Sequence, residues 1–495
     1  MSIKPQYETY RYTSEICKVH GQTVVECRLP GSEINAVLAV NPTAVSSGAI
    51  CQDGEVKLTG KLLLSIVYED ANKCVCRAER GAEFFVDADK KEITPACVAK
   101  PKFTVKNVTT RREGSGLYLC ALIEYSVRVF GTLTAEYLTG GENVAVKKVK
   151  QTIVKEVCVS GETDLEDEFD TEYFSDLLLH SERVQVIKAK PLGGEVEIAG
   201  ELSLNLCALK GDGELCPYER LIPFNVSIPC DEHGARSAEA DVFVTSANLT
   251  VTTDEEKGNS KILAEFTLTA DCTLYIEEEI ECALDAFSPT NEMRVKRENR
   301  QGRYLSFEKR LSLPVSGGAA ISPAAGNGYK LIAALLPKGE AVFRKRNGES
   351  EIEGIIETEA ILKGEDGLHK VATVSMPFSL PAPKIDEEDV EIDLLCCGLA
   401  VRKRGSGEVD AEGTLKIVMK GYSSKVAEYI VQAEEGEEYE VSDSAFSVFV
   451  PSEGDGLWEV AKRLKRYPEE VEKDNPTLEF PVKRGARIVV YRQKE

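Results

Sequence analysis

Tryptophan occurs once in these 495 residues, and histidine and methionine four times each. No stretch approaches the roughly 18 apolar residues of a membrane-spanning helix; "KLLLSIVY" is typical of the longest runs. The first residues, "MSIKPQYETYRYTSEIC", contain no apolar leader core and no small-residue cleavage site. The chain is therefore expected to stay in the cytosol, without membrane insertion. A formal net charge of −23 leaves no basic stripe for phosphates, so nucleic acid is not an expected partner. The same acidity also serves solubility.

Reactive constellations are missing too. The histidines stand at positions 20, 180, 233 and 369, none near another. There is no His-Glu-x-x-His, no Gly-x-Ser-x-Gly and no phosphate-binding glycine loop. "GDGELC" (Gly211–Cys216) lacks a third glycine and reads as a turn between strands. "DEEDVE" (Asp386–Glu391) lacks the alternating spacing of a calcium loop and reads as a solvated acidic loop. No catalytic residue, metal or cofactor is expected, and binding or assembly is favoured over catalysis. The fifteen cysteines are scattered and odd in number. Their only close pairs, Cys74/Cys76 and Cys396–Cys397, lack zinc-site spacing, so reduced and mostly buried thiols are expected.

What is present is a repeat. "GEVKLTG" (Gly54–Gly60), "GEVEIAG" (Gly194–Gly200) and "GESEIEG" (Gly348–Gly354) share one frame. A Val-x-Gly ending at Gly21, Gly161 or Gly317 precedes each by 33, 33 and 31 residues, and a phenylalanine (Phe84, Phe224, Phe378) follows each second glycine by 24. Around the first frame Val56, Leu58, Leu62, Leu64 and Ile66 alternate with Lys57, Thr59, Lys61 and Ser65. Around the second, Val196, Ile198, Leu202, Leu204 and Leu206 alternate with Glu197, Glu201, Ser203 and Asn205. This period of two predicts long half-buried strands. Gly60, Gly200 and Gly354 fall on the apolar face and are expected as bends in those strands. A second alternating stretch closes each copy, near Leu119–Val129, Ile262–Leu274 and Val409–Met419. Each follows a charged glycine-bearing turn, "RREGSG", "DEEKGN" or "RKRGSG", that predicts a hairpin tip. The unit is an antiparallel β domain of sandwich type, long enough to bury its own core.

The end of the chain differs. Residues 446–495 hold 10 Lys+Arg and 9 Asp+Glu, a sum of +1, so the rest carries −24 of the total. "FSVFV" (Phe446–Val450) predicts a short strand. Leu457, Val460, Ala461 and Leu464 mark one helical face, and "YPEEVEKDNP" (Tyr467–Pro476) predicts a second helix opening at Pro468. "ARIVVYR" (Ala486–Arg492) predicts a closing strand.

This segment resembles the LysM domain, a small βααβ module that binds N-acetylglucosamine-containing glycans. Gly454 and Asp455 match its Gly-Asp-Thr loop; Leu457, Trp458, Val460 and Ala461 match the helix that follows. Asn475–Pro476 matches its Asn-Pro turn, and Gly485 the glycine before its last strand. Gly456 departs from the pattern, replacing the loop threonine and removing its hydroxyl. The upstream copies, by their Val-x-Gly, glycine-framed strand and offset phenylalanine, resemble the SPOCS domain of spore-forming Firmicutes. The layout so implied is mainly β. Three tandem antiparallel sandwich-like SPOCS repeats occupy 1–143, 144–298 and 299–432, an acidic linker 433–445, and a βααβ LysM domain 446–495.

The resemblance implies a non-enzymatic scaffold of spore-coat morphogenesis, working in the mother-cell cytosol at the forespore surface. Its implied partner is the stage IV sporulation coat ATPase, bound through the LysM-containing end. The alternative is a peptidoglycan-binding protein of wall or cortex, whose ligand would be an N-acetylglucosamine glycan. In either case the implied binding residues are Gly454, Asp455, Gly456, Leu457, Trp458, Asn475 and Pro476. For Trp458, packing on the helix edge competes with a binding contact.

Overall fold

The computed structural model describes all residues except 1, 31–33, 115, 255, 257, 323–327, 347–348, 388, 406, 441–445 and 492–495, and only the backbone of Ser322. Gly348, which opens the third glycine frame, thus lies outside the described residues. Eighteen strands make three copies of one six-stranded unit. The first copy contains β1 (Lys4–Leu29), β2 (Ile34–Gln52), β3 (Glu55–Asp70), β4 (Val75–Asp89), β5 (Val98–Glu113) and β6 (Gly116–Glu142). The second contains β7 (Ala145–Glu172), β8 (Asp176–Leu192), β9 (Glu195–Leu209), β10 (Leu215–Pro229), β11 (Ala235–Asp254) and β12 (Asn259–Phe287). The third contains β13 (Asn291–Ser322), β14 (Tyr329–Arg346), β15 (Glu349–Gly364), β16 (His369–Pro381), β17 (Asp389–Lys403) and β18 (Glu408–Glu438).

In every copy the first, sixth and fifth strands form one antiparallel sheet, and the second, third and fourth form another. Short pairing of Ala320–Ser322 with Thr373–Ser375 fuses the two sheets of the third copy into one of six strands. The alternation seen in sequence fills each core. Val56, Leu58, Leu62, Leu64 and Ile66 meet Leu119, Ala121 and Ile123 in the first copy; Val196, Ile198 and Leu202 meet Ile262, Ala264 and Phe266 in the second. The repeat boundaries differ from those expected at 298/299 and 432/433. The second copy ends at Phe287, and residues 433–438 continue β18, where Glu434 faces Arg294 and the Ala433 N–H donates to the Tyr7 hydroxyl. Cross-strand partners hold this acidic stretch in the sheet, and residues 441–445 of the expected linker lie outside the described residues. All fifteen cysteines are free.

The 24-residue offset between glycine and phenylalanine is a cross-strand pair. Gly60 faces Phe84, Gly200 faces Phe224 and Gly354 faces Phe378. A Cβ on these glycines would stand 2.2, 2.3 and 2.4 Å from the ring Cζ, so each ring occupies the space a side chain would need. The expected bend in the glycine's own strand is therefore replaced by a close approach. The bulges lie in the strand on the other side, opposite Gly60 and Gly200, between Ser46 and Gly48 and between Val186 and Lys188.

The three copies share interior surface. Val67, Cys207 and Ile361 each stand thirteen residues after the glycine opening their frame, and pair with Ala39, Leu179 and Ala333. All six are buried in one cluster. The sixth strands run on past their sandwiches, at about 3.3 Å per residue. Tyr137, Ile280 and Tyr429, each 21 residues after the start of its strand, meet in a second shared cluster. Polar faces expected to meet solvent are covered here. Ser203 is buried, Glu201 pairs with Arg310 and Lys416 of the third copy at 2.7 and 2.6 Å, and Gln185 donates to the carbonyls of Asp393 and Lys416. Between the first and third copies the His369 ring Nδ1 lies 2.5 Å from Glu69 Oε2.

A buried charge cluster also bridges the copies. Arg128 of β6 holds Glu15 of β1 at 2.6 Å and pairs with Glu239 of β11, while Glu156 of β7 stays 3.8 Å away. Tyr422 of β18 donates to Glu239 at 2.5 Å. One guanidinium thus serves three carboxyls. Burial pushes the Glu156 carboxyl up to about 7, outweighing the distant pull of Arg128. Burial also opposes ionisation of Glu239, but Arg128, Lys420 and the Tyr422 hydroxyl hold it below the usual carboxylate range.

Two outcomes follow from these contacts. In Gly200→Val the new Cβ meets the Phe224 ring and the Gln185 carbonyl oxygen, 2.8 Å away on backbone. The melting temperature should fall by the equivalent of about 3 kcal/mol, with partial recovery when Phe224→Ala is added; a parent-like melt would show that the site has room. For Glu156 the folded-state value exceeds the ordinary 4.5, so the unfolded chain ionises first. Stability from the protonated form is complete below that value and drains away as pH rises toward 7. Glu156→Gln should therefore gain on the parent by about 2 kcal/mol between about pH 5 and about pH 8 in thermal melts. A constant difference across that range would remove the linkage.

Candidate functional site

Past Glu438 the chain forms β19 (Phe446–Phe449), α1 (Leu457–Leu464), α2 (Pro468–Asp474) and β20 (Ile488–Tyr491), with β19 antiparallel to β20. Val460, Ala461 and Val471 are buried against Ile488 and Val490, and Leu457 and Leu464 flank them, as the helical spacing predicts. Gly456 is the N-cap of α1 and offers no side chain to its free N–H groups. Glu459 fills that role. Hydrogen bonds from the backbone N–H groups of Glu459 and Gly456, with Lys147 nearby, hold its carboxyl below the usual range.

The expected binding residues take mostly internal roles. Gly454 is exposed and sits at φ +88°, where glycine is favoured. Its N–H donates to the Val482 carbonyl, and the Val482 N–H donates to the Asp455 carbonyl. The bonds joining the first loop to the α2–β20 connection thus pass through Val482, not through the Asn475–Pro476 turn. Asp455 Oδ2 accepts from the Ser452 N–H at 2.8 Å and from Arg463 at 2.6 Å, so its carboxylate ties the loop to α1. Asn475 accepts from the Val489 N–H and donates to the Val489 carbonyl, both at 2.8 Å, and donates to the Val471 carbonyl at 3.0 Å. It lies along β20 as a third strand would. Pro476 is exposed beside it.

Trp458 faces the repeats. Its Nε1–H donates to Asp285 Oδ2 at 2.9 Å, and its ring packs edge-on against Phe287 with centroids 5.1 Å apart. Lys462, one turn further along α1, reaches both oxygens of Asp285 at 2.7 and 2.8 Å, and Lys147 reaches Glu459 at 3.3 Å. Phe287 and Ala145 belong to the same buried cluster as the module's core. Burial opposes ionisation of Asp285, but the bonds from Lys462 and Trp458 hold its carboxyl below the ordinary value. Sequence reasoning missed Asp285 and Phe287. A bulge at Leu284, between Ala283 and Asp285, marks this end of β12 in the structure.

The module's outer surface is apolar. Phe446, Val448 and Val450 along one strand line, and Tyr491 opposite Phe446, are 63%, 52%, 63% and 57% exposed. Elsewhere a cavity of about 690 Å³ opens between the repeats, but its charges answer one another: Lys100 pairs with Asp271 at 2.7 Å and Lys102 with Asp241 at 3.1 Å. Among the described residues no group of three or more His, Cys, Asp or Glu is placed to hold a metal ion, and no helix is long and apolar enough to cross a membrane. The chain matches no known family model, no curated protein and no solved structure.

Asn475→Ala should expose three backbone partners and weaken the module by about 2–3 kcal/mol. Hydrogen exchange at the Val489 amide should accelerate while the main melt of the repeats stays put. Unchanged exchange at Val489 would show that β20 does not depend on this side chain.

Proposed function

We propose that this protein is a non-enzymatic assembly scaffold of the spore coat, similar to SPOCS-domain proteins, that binds the stage IV sporulation coat ATPase through a LysM-like C-terminal module at the forespore surface. The observation that carries this reading is the exposed apolar row of Phe446, Val448, Val450 and Tyr491, gathered on one face of a small module appended to an acidic body. A contiguous exposed apolar patch is the usual mark of an interaction surface. The glycine at 456, in place of a loop hydroxyl, favours a protein partner over a glycan. Several of the residues matched to the LysM loops, Asp455 and Asn475 above all, support the module's own structure, so the apolar row is the better probe.

Titrating the intact chain against the coat ATPase and against chito-oligosaccharides separates the two readings. Val448→Asp should weaken the ATPase contact by tenfold or more, as expected for an interface anchor worth about 2 kcal/mol, without shifting the melt of the repeats. Glycan binding by the parent with no ATPase contact would favour the wall or cortex reading instead.

A further inference from the structure

Trp458 is matched by sequence to a binding helix, yet its indole is turned inward onto the second repeat. The contact is built from both sides. On the repeat side Asp285 is re-aimed by a bulge at Leu284, and Phe287 supplies an aromatic wall. On the module side Trp458 and Lys462 stand four residues apart on α1, the spacing that places two side chains on one helical face. Both converge on one carboxylate, Trp458 at 2.9 Å and Lys462 at 2.7 Å. Arg297 of β13 touches the same carboxylate at 3.2 Å, so the catch is also anchored to the third repeat. A second ion pair, Lys147 with Glu459, flanks it at 3.3 Å.

We propose that Asp285 is the catch of an intramolecular latch, which holds the Trp458–Lys462 face of the C-terminal module closed against the second repeat until a protein partner displaces it. The latch deepens the scaffold reading and, for its partner, rests on it. Two surfaces of the module then have different availability. The β19–β20 row is open in the latched state and can make first contact, whereas the Trp458 face opens only on release. The seam suits reversible opening. Its polar bonds centre on one carboxylate that is still 20% exposed, its second ion pair is half in solvent, and Trp458 is only part-buried. A partner presenting an acidic group beside an apolar surface could replace Asp285 and Phe287 with like chemistry.

Because Trp458 is the sole tryptophan, its fluorescence reports the latch in the intact chain without any label. Asp285→Ala should shift emission to the red, raise acrylamide quenching, and move the closed-to-open ratio by about tenfold. Glu281→Ala, on the same strand with an exposed partner, should change neither signal. If Asp285→Ala disturbs the melt of the repeats, Lys462→Ala opens the same catch from the module's side of the seam. Parent-like emission and quenching in both variants would overturn the latch. Titration with the coat ATPase forms the second arm. Tighter binding by the released variants than by the parent is the result expected. Equal binding by both would overturn the gating, with the scaffold reading intact. Binding by neither would overturn the scaffold reading, leaving the latch to be judged on fluorescence alone.

Discussion

The assembly depends on one constraint: each repeat buries the outside of its own sandwich against the other two. A sandwich normally offers one apolar face per sheet inward and one polar face to water. Here Val67, Cys207 and Ile361, with their partners Ala39, Leu179 and Ala333, turn part of the outer surface into a shared core. Because the contributors occupy equivalent positions, three copies are needed to complete it. The long sixth strands make a second such core with Tyr137, Ile280 and Tyr429. Two separated apolar contacts fix the relative orientation of the repeats more firmly than either would alone.

Polar groups caught between those cores must find partners. Most do, across repeat boundaries: Glu201 with Arg310 and Lys416, Gln185 with two third-repeat carbonyls, His369 with Glu69. Supply falls short in the cluster around Arg128, with Glu15 and Glu239 taking the close contacts and Glu156 left at the margin. Such a group resolves its deficit by keeping its proton, which ties the stability of the junction to pH.

Against this interlocked body the C-terminal module is attached by one small seam. The same short helix supplies the module's core through Val460 and Ala461 and its attachment through Trp458 and Lys462. In the scaffold we propose, the acidic body would serve as the platform, and the nearly neutral module with its apolar outer row would offer the surface to a partner protein.

Local patterns in the sequence determined much of this. Period-two alternation around Val56 and Val196 specified strands and their buried faces, because a strand's side chains alternate whatever surrounds it. The three glycine frames specified the triplication, and the spacing of Leu457, Val460, Ala461 and Leu464 specified a helix. The offset from Gly200 to Phe224 was visible as a number, but only strand pairing turned it into a ring lying over a glycine. Residues 433–438 look like a linker by composition and are held in a strand by Arg294 and Tyr7, a choice made by neighbours more than a hundred residues away. Ser203 and Glu201 read as solvent-facing until a third copy covers them. Trp458 and Asp285 are 173 residues apart, and nothing local to either announces the other. Periodicity is a property of one segment and can be read from it, whereas which polar face is covered, and which carboxylate meets the single indole, is settled only when distant segments pack.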